Sequence, residues 1–255
     1  MDEETRSNVS ALVTTGVSLA IGLGFDLSPD TVTTLSSFAP VLDRCVNRVL
    51  WLFSRKSFSE IECARLGICY SEAVSIVKKN LSTGKEIVMK DVLNEGGKIN
   101  KADEVLEAIF KGAINDSQTI KSKLYGRLIG NFPFQNQYDS SRLYLMLKVA
   151  MDLSYDELCL LSVLQHQPAT CYYPLEEGAN HGSPDAAELF SYLMHFKVYG
   201  LLLSVAPFYQ GRNLDSYVLS FLCRDLCLFL QLDDLNIEDR NRIRRKLQTF
   251  IPTIF

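Results

Sequence analysis

Apolar residues recur every three to four positions along most of this chain. Their clearest run begins at Lys101. Ala102, Val105, Leu106, Ile109, Phe110, Ala113 and Ile114 share one side of a helix, and the period continues through Ile120, Leu124, Tyr125, Leu128 and Ile129. This predicts one long amphipathic helix that breaks at Phe132-Pro133. A second helix is expected over Ser140–Asp152, carrying Leu143, Leu145, Met146, Leu147, Val149 and Ala150. Start signals mark others: Ser57-Phe-Ser-Glu60 and Ser154-Tyr-Asp-Glu157 read as capping boxes, and Ser183-Pro184-Asp185 as a capped first turn. The first of these opens a helix to about Asn80, the second one to about Gln165, and the third one to about Tyr199. A short helix is expected over Lys85–Asn94, stopped by Gly96-Gly97. Leu201–Tyr209 and Tyr217–Phe221 flank Gln-Gly-Arg-Asn, the pattern of a small β-hairpin, and two helices follow it.

The N-terminal pattern differs. No charged residue occurs from Ser7 to Phe25, a run of 19 positions that is marginally long enough to span a bilayer. Asp2, Glu3 and Glu4 precede it, against the basic start of a secretory signal. Gly16, Ala20 and Gly24 recur at four-residue spacing and form a smooth stripe for close helix–helix packing, in lipid or in protein. Ser28-Pro29-Asp30 starts a second apolar helix to about Ser54, with Arg44, Arg48 and Trp51 beside its apolar side. The expected fold is therefore mainly α. Residues 1–56 form an apolar helical hairpin for membrane or oligomer contact, 57–152 a helical body, and 153–255 a winged-helix-like module with a small β-hairpin.

Charge and composition narrow the chemistry. With 47% hydrophobic and 22% charged residues the 255-residue chain is a folding sequence, and its net charge of −4 argues against coating duplex DNA. Residues 150–255 hold 8 Lys or Arg against 13 Asp or Glu, which favours protein contact over DNA readout in the winged-helix-like module. Lys121, Lys123, Arg127 and Arg142 are the candidate anion-binding residues, for a nucleotide or oligonucleotide signal. Seven cysteines without CxxC pairing read as reduced, buried thiols; Cys223 and Cys227 share a helix face among apolar neighbours. His166, His181 and His195 have no Cys or carboxylate at a recognised metal spacing, and His195 reads as core or half-buried. No P-loop, nucleophile elbow or dinucleotide fingerprint occurs, so neither a cofactor, a metal nor an enzymatic activity is expected.

Lys123-Leu-Tyr-Gly126-Arg-Leu-Ile-Gly-Asn131-Phe-Pro-Phe134, followed by Leu153–Leu161, Leu189–Leu202 and Phe221–Leu232, resembles a segment order found in uncharacterised bacterial helical proteins. In architecture, an apolar N-terminal hairpin on a helical body, the chain is similar to membrane effectors of anti-phage systems, the Abi-alpha-like proteins and the Hailong effector. The resemblance implies a membrane-acting, pore- or channel-forming effector, held inactive in a homo-oligomer and released by an anionic signal. Its place would be the cytoplasmic face of the inner membrane. The alternative expectation is a soluble, cytoplasmic oligomeric regulatory or scaffold protein with residues 7–56 buried between subunits.

Overall fold

The computed structural model describes residues 59–88, 101–135, 140–167, 171–172, 183–205 and 216–250. The N-terminal hairpin, the Gly16, Ala20 and Gly24 stripe, the Ser57 box, Gly96-Gly97, His181 and residues 251–255 lie outside the described residues. The chain divides after Met151 into two compact units. Helices dominate both, as the periodicity predicts, and a small antiparallel hairpin lies near the C-terminal end of the second. Among the described residues no helix is long and apolar enough to cross a membrane.

The first unit holds α1 (Glu60–Ser82), α2 (Lys101–Asn115), α3 (Ser122–Asn131) and most of α4 (Ser140–Asp152). The box that starts α1 is Ser59 with Glu62, two residues later than expected. The Ser59 hydroxyl accepts from Glu62 N, and Glu62 Oε2 accepts from Ser59 N at 2.8 Å. Residues 85–88 are not helical, so the short helix expected from Lys85 does not begin there. The long helix expected from Lys101 is two helices. Asp116 interrupts it: its Oδ1 accepts from Gln118 N at 2.8 Å, a local turn that competes with the helical bond. A 3-10 turn, Thr119–Lys121, then leads into α3. Arg65 fixes this break from α1, donating to Ile114 O, Ser117 O and Thr119 Oγ1.

α3 crosses α1 at backbone contact. A Cβ at Gly130 would stand 2.6 Å from Ile76 Cβ, and one at Gly126 would stand 2.4 Å from Cys69 O. Only glycine permits that approach. Around it, Leu66, Tyr70, Ala73 and Val77 of α1 and Leu124, Tyr125, Leu128 and Ile129 of α3 are buried, with Val105, Leu106, Ile109 and Phe110 of α2. Polar ties flank the crossing: Arg127 Nε bonds Glu72 Oε1 at 2.9 Å, and Asn80 Nδ2 donates to Asn131 Oδ1 at 3.0 Å.

The second unit runs α5 (Tyr155–Leu164), β1 (Cys171–Tyr172), α6 (Pro184–Val198), β2 (Leu202–Val205), β3 (Ser216–Leu219), α7 (Phe221–Leu230) and α8 (Ile237–Phe250). The Ser154 box and the Ser183-Pro184 start form as the sequence predicts. The sheet order is β1-β3-β2, antiparallel throughout, with Leu203 opposite Val218 and Cys171 opposite Tyr217. β1 therefore adds a strand to the hairpin expected over Leu201–Phe221; two residues are too short for an alternating pattern to reveal. α7 ends on Gln231 in the left-handed region, φ 47°, followed by a 3-10 turn.

Candidate functional site

The four candidate anion-binding residues divide into two pairs. Lys121 is only 2% exposed, because the turn after Asp116 carries its side chain inward. Its ammonium meets Asp116 Oδ2 at 2.6 Å and donates to Met151 O at 3.0 Å. Tyr125 OH donates to the same Asp116 oxygen. A buried cation survives only when paired and hydrogen-bonded, and this cluster supplies both conditions. Arg127 is engaged with Glu72 across the α1–α3 crossing. Lys121 and Arg127 thus hold contacts within the fold of the first unit. Lys123 and Arg142 are exposed on α3 and α4.

In the second unit the structure gives His195, read from the sequence as core or half-buried, a specific partner. His195 comes from the last turns of α6, and its Nδ1 lies 2.6 Å from Glu157 Oε1. Glu157 is buried, and its Oε2 accepts from Ser154 N at 2.7 Å and from the Ser154 hydroxyl at 2.8 Å. The carboxylate that caps α5 therefore also orients an imidazole 38 residues away in sequence. Tyr199 packs a tilted ring 4.7 Å from His195, and its hydroxyl donates to Asp152 at 2.7 Å. The Glu157 carboxylate accepts from Nδ1–H and leaves Nε2 as the ring nitrogen it does not engage. Among the described residues no group of three His, Cys, Asp or Glu is placed to hold a metal ion. The site therefore offers one oriented imidazole rather than a ligand set.

A second polar layer joins α5, α6 and α8. Arg242 forks onto Asp156 at 2.7 and 3.0 Å. Lys246 bonds Glu188 at 2.6 Å and Asp185 at 3.0 Å. The bond from Lys246, with a second from Tyr192, holds the Glu188 carboxyl below the usual carboxylate range. The basic run of α8 thus meets acids of α5 and α6.

Two buried thiols of this unit are quiet. Burial pushes the Cys159 thiol up to about 12, and a hydrogen bond with Cys223, then burial, raise Cys227 well above the ordinary value. Thiols so raised are poor nucleophiles and poor metal ligands at neutral pH.

The exposed residues of α6 are mixed, with Asp185 and Lys197 charged and the others not. Ala187, Ser191, Met194 and Val198 fall on one stripe, the first two exposed, Met194 half-buried and Val198 78% exposed. Lys197, also exposed, flanks these positions and donates to Tyr217 OH at 3.3 Å. Asp185 and Glu188 of α6 pair with Lys246 of α8. No family model, curated protein or solved structure matches the chain.

Proposed function

We propose that this chain is a non-catalytic, oligomeric regulatory or scaffold protein whose second unit is a winged-helix-like module turned to protein contact. The order α6, β2, β3, with β1 added to the outer edge of β3, supports the winged-helix-like reading. The observation that carries the function is the uncharged stripe of α6, the helix before the hairpin. A helix that reads a DNA groove brings its N-terminal residues to the bases and Lys or Arg to the phosphates. α6 begins with Asp185 and Glu188 and presents Ala187, Ser191 and Val198. Lys197 is the one Lys or Arg of this helix, too little to track a phosphate backbone, and the uncharged positions suit a protein surface.

A labelled 20-base-pair duplex titrated with the full chain at about 50 mM salt tests this reading, because electrostatic DNA binding is strongest at low salt. No saturation is expected. Saturable binding that weakens as salt rises removes it.

The membrane-effector reading is the second, and the uncharged run Ser7–Phe25 favours it. The engagement of Lys121 and Arg127 within the first unit weighs against the four-residue anionic trigger attached to that reading. Fractionation of the full chain and of a variant lacking residues 1–56 separates the two. Pelleting with membranes that depends on residues 1–56 favours the effector; a soluble full chain removes it.

A further inference from the structure

The outer face of α7 is one helical stripe. Phe221, Arg224, Asp225 and Leu228 stand at i, i+3, i+4 and i+7, so they share a side, opposite the buried Cys223, Leu226, Cys227 and Leu230. Phe221 is 78% and Leu228 62% exposed, and Arg224 is exposed between them. The guanidinium carbon of Arg224 lies 5.9 Å from the centre of the Phe221 ring, a contact that holds both side chains along the helix surface. Two large apolar side chains one heptad apart are what a helix presents to another helix.

The order of chemistry along the stripe is self-complementary, apolar at both ends and oppositely charged at the centre. A two-fold axis between residues 224 and 225 sets a second α7 antiparallel to the first. That single operation brings Phe221 onto Leu228 of the second copy and Arg224 onto its Asp225, and repeats both pairs on the other side of the axis. A parallel pairing in register would stack Arg224 on Arg224 and Asp225 on Asp225, like on like. The pattern therefore selects a second copy of this chain in one orientation. Ten residues of helix, about 15 Å, offer less than the roughly 800 Å² per partner of a standard interface, so the pairing is weak and reversible.

We propose that two copies of this chain associate through α7, antiparallel about an axis between Arg224 and Asp225. The inference rests on reading the chain as oligomeric, and it names the surface and the partner for that reading.

Sedimentation velocity of the full chain over a concentration series tests it, with the dimer fraction expected to rise with concentration. Arg224→Asp sets carboxylates against carboxylates across the axis, and Asp225→Arg sets guanidiniums against guanidiniums. Each should raise the dimer dissociation constant by about tenfold or more. The double variant exchanges the charges and should restore the wild-type value. Leu228→Glu changes an exposed position and should weaken the dimer without loss of fold, and circular dichroism compares every variant with wild type. A dimer indifferent to these substitutions, or one that the charge exchange does not restore, overturns the α7 interface and leaves the oligomeric reading standing. A chain that stays monomeric at every concentration removes both.

Discussion

Gly126 of α3 lies against the backbone of Cys69 in α1, so closely that a Cβ at Gly126 would stand 2.4 Å from the Cys69 carbonyl oxygen and 2.7 Å from Glu72 Cβ. One turn on, Gly130 meets Ala73 O and Ile76 in the same way. The two helices therefore touch through main chain, and Arg127, between the glycines, reaches Glu72 beside the contact.

Gly126→Ala sets two effects against each other. Alanine favours a helix by about 1 kcal/mol, but overpacking against rigid backbone costs about 1–3 kcal/mol. Because the obstructing atom is a carbonyl oxygen, a net loss of about 1–2 kcal/mol is expected in urea unfolding. Gly67→Ala is the control: it lies in α1 with nothing within 4 Å of the new Cβ, and it should gain up to about 1 kcal/mol. Equal signs for the two variants contradict the tight crossing.

Lys121→Met leaves the buried Asp116 carboxylate without its cation and should cost about 3–5 kcal/mol. Adding Asp116→Asn removes the orphaned charge and keeps an acceptor for Gln118 N. The double variant should therefore be more stable than Lys121→Met alone. Thermal unfolding of the pair decides it, and a further loss in the double variant rejects the ion-pair account.

Arg127→Ala and Lys123→Ala separate fold from surface on one helix. The first loses a charge-assisted bond across the crossing and should cost about 1.5–3 kcal/mol. The second alters an exposed position and should change stability by no more than about 0.5 kcal/mol. Denaturation midpoints measure both, and matching losses would place Lys123 in the packing as well.

The Lys246–Glu188 bond makes part of the second unit's stability depend on pH. The Glu188 carboxyl is held low by Lys246 and Tyr192, so its contribution is complete above the ordinary Glu value of about 4.3. It drains away as pH falls through the lower folded value. Lys246 is raised by Glu188 and Asp185, so its own contribution is present below about 10.4 and lost as pH rises through the higher folded value. Melting curves of wild type and Glu188→Gln should differ at pH 6 and converge on acidification. A gap that widens toward acid contradicts the assignment.

Local signals in the sequence located the helix starts well. Ser154 with Glu157 and Ser183 with Pro184 act over three residues or fewer, and both form as read. Features that depend on partners distant in sequence were not legible. The apolar period carries straight through Asp116, and the break there is held by Arg65 of α1, about fifty residues earlier, through its bonds to Ile114 O, Ser117 O and Thr119 Oγ1. Lys121 reads as a surface cation because its burial is decided by that break. Gly126 and Gly130 show the same four-residue spacing that drew notice to Gly16, Ala20 and Gly24, but spacing alone does not name the opposing helix. The His195 pairing with Glu157 joins residues 38 apart, and no spacing in the sequence announces it.

Glu157 holds Ser154 with one oxygen and His195 with the other. Position 157 is consequently a narrow passage for sequence drift. Aspartate is a methylene short of both partners. Glutamine keeps an acceptor for the α5 cap only by turning its amide nitrogen toward His195, which takes away the acceptor of Nδ1–H. His195 can vary while the cap survives, but Glu157 cannot vary without disturbing both ends at once. Descendants of this chain should therefore lose the histidine first and the glutamate only afterwards.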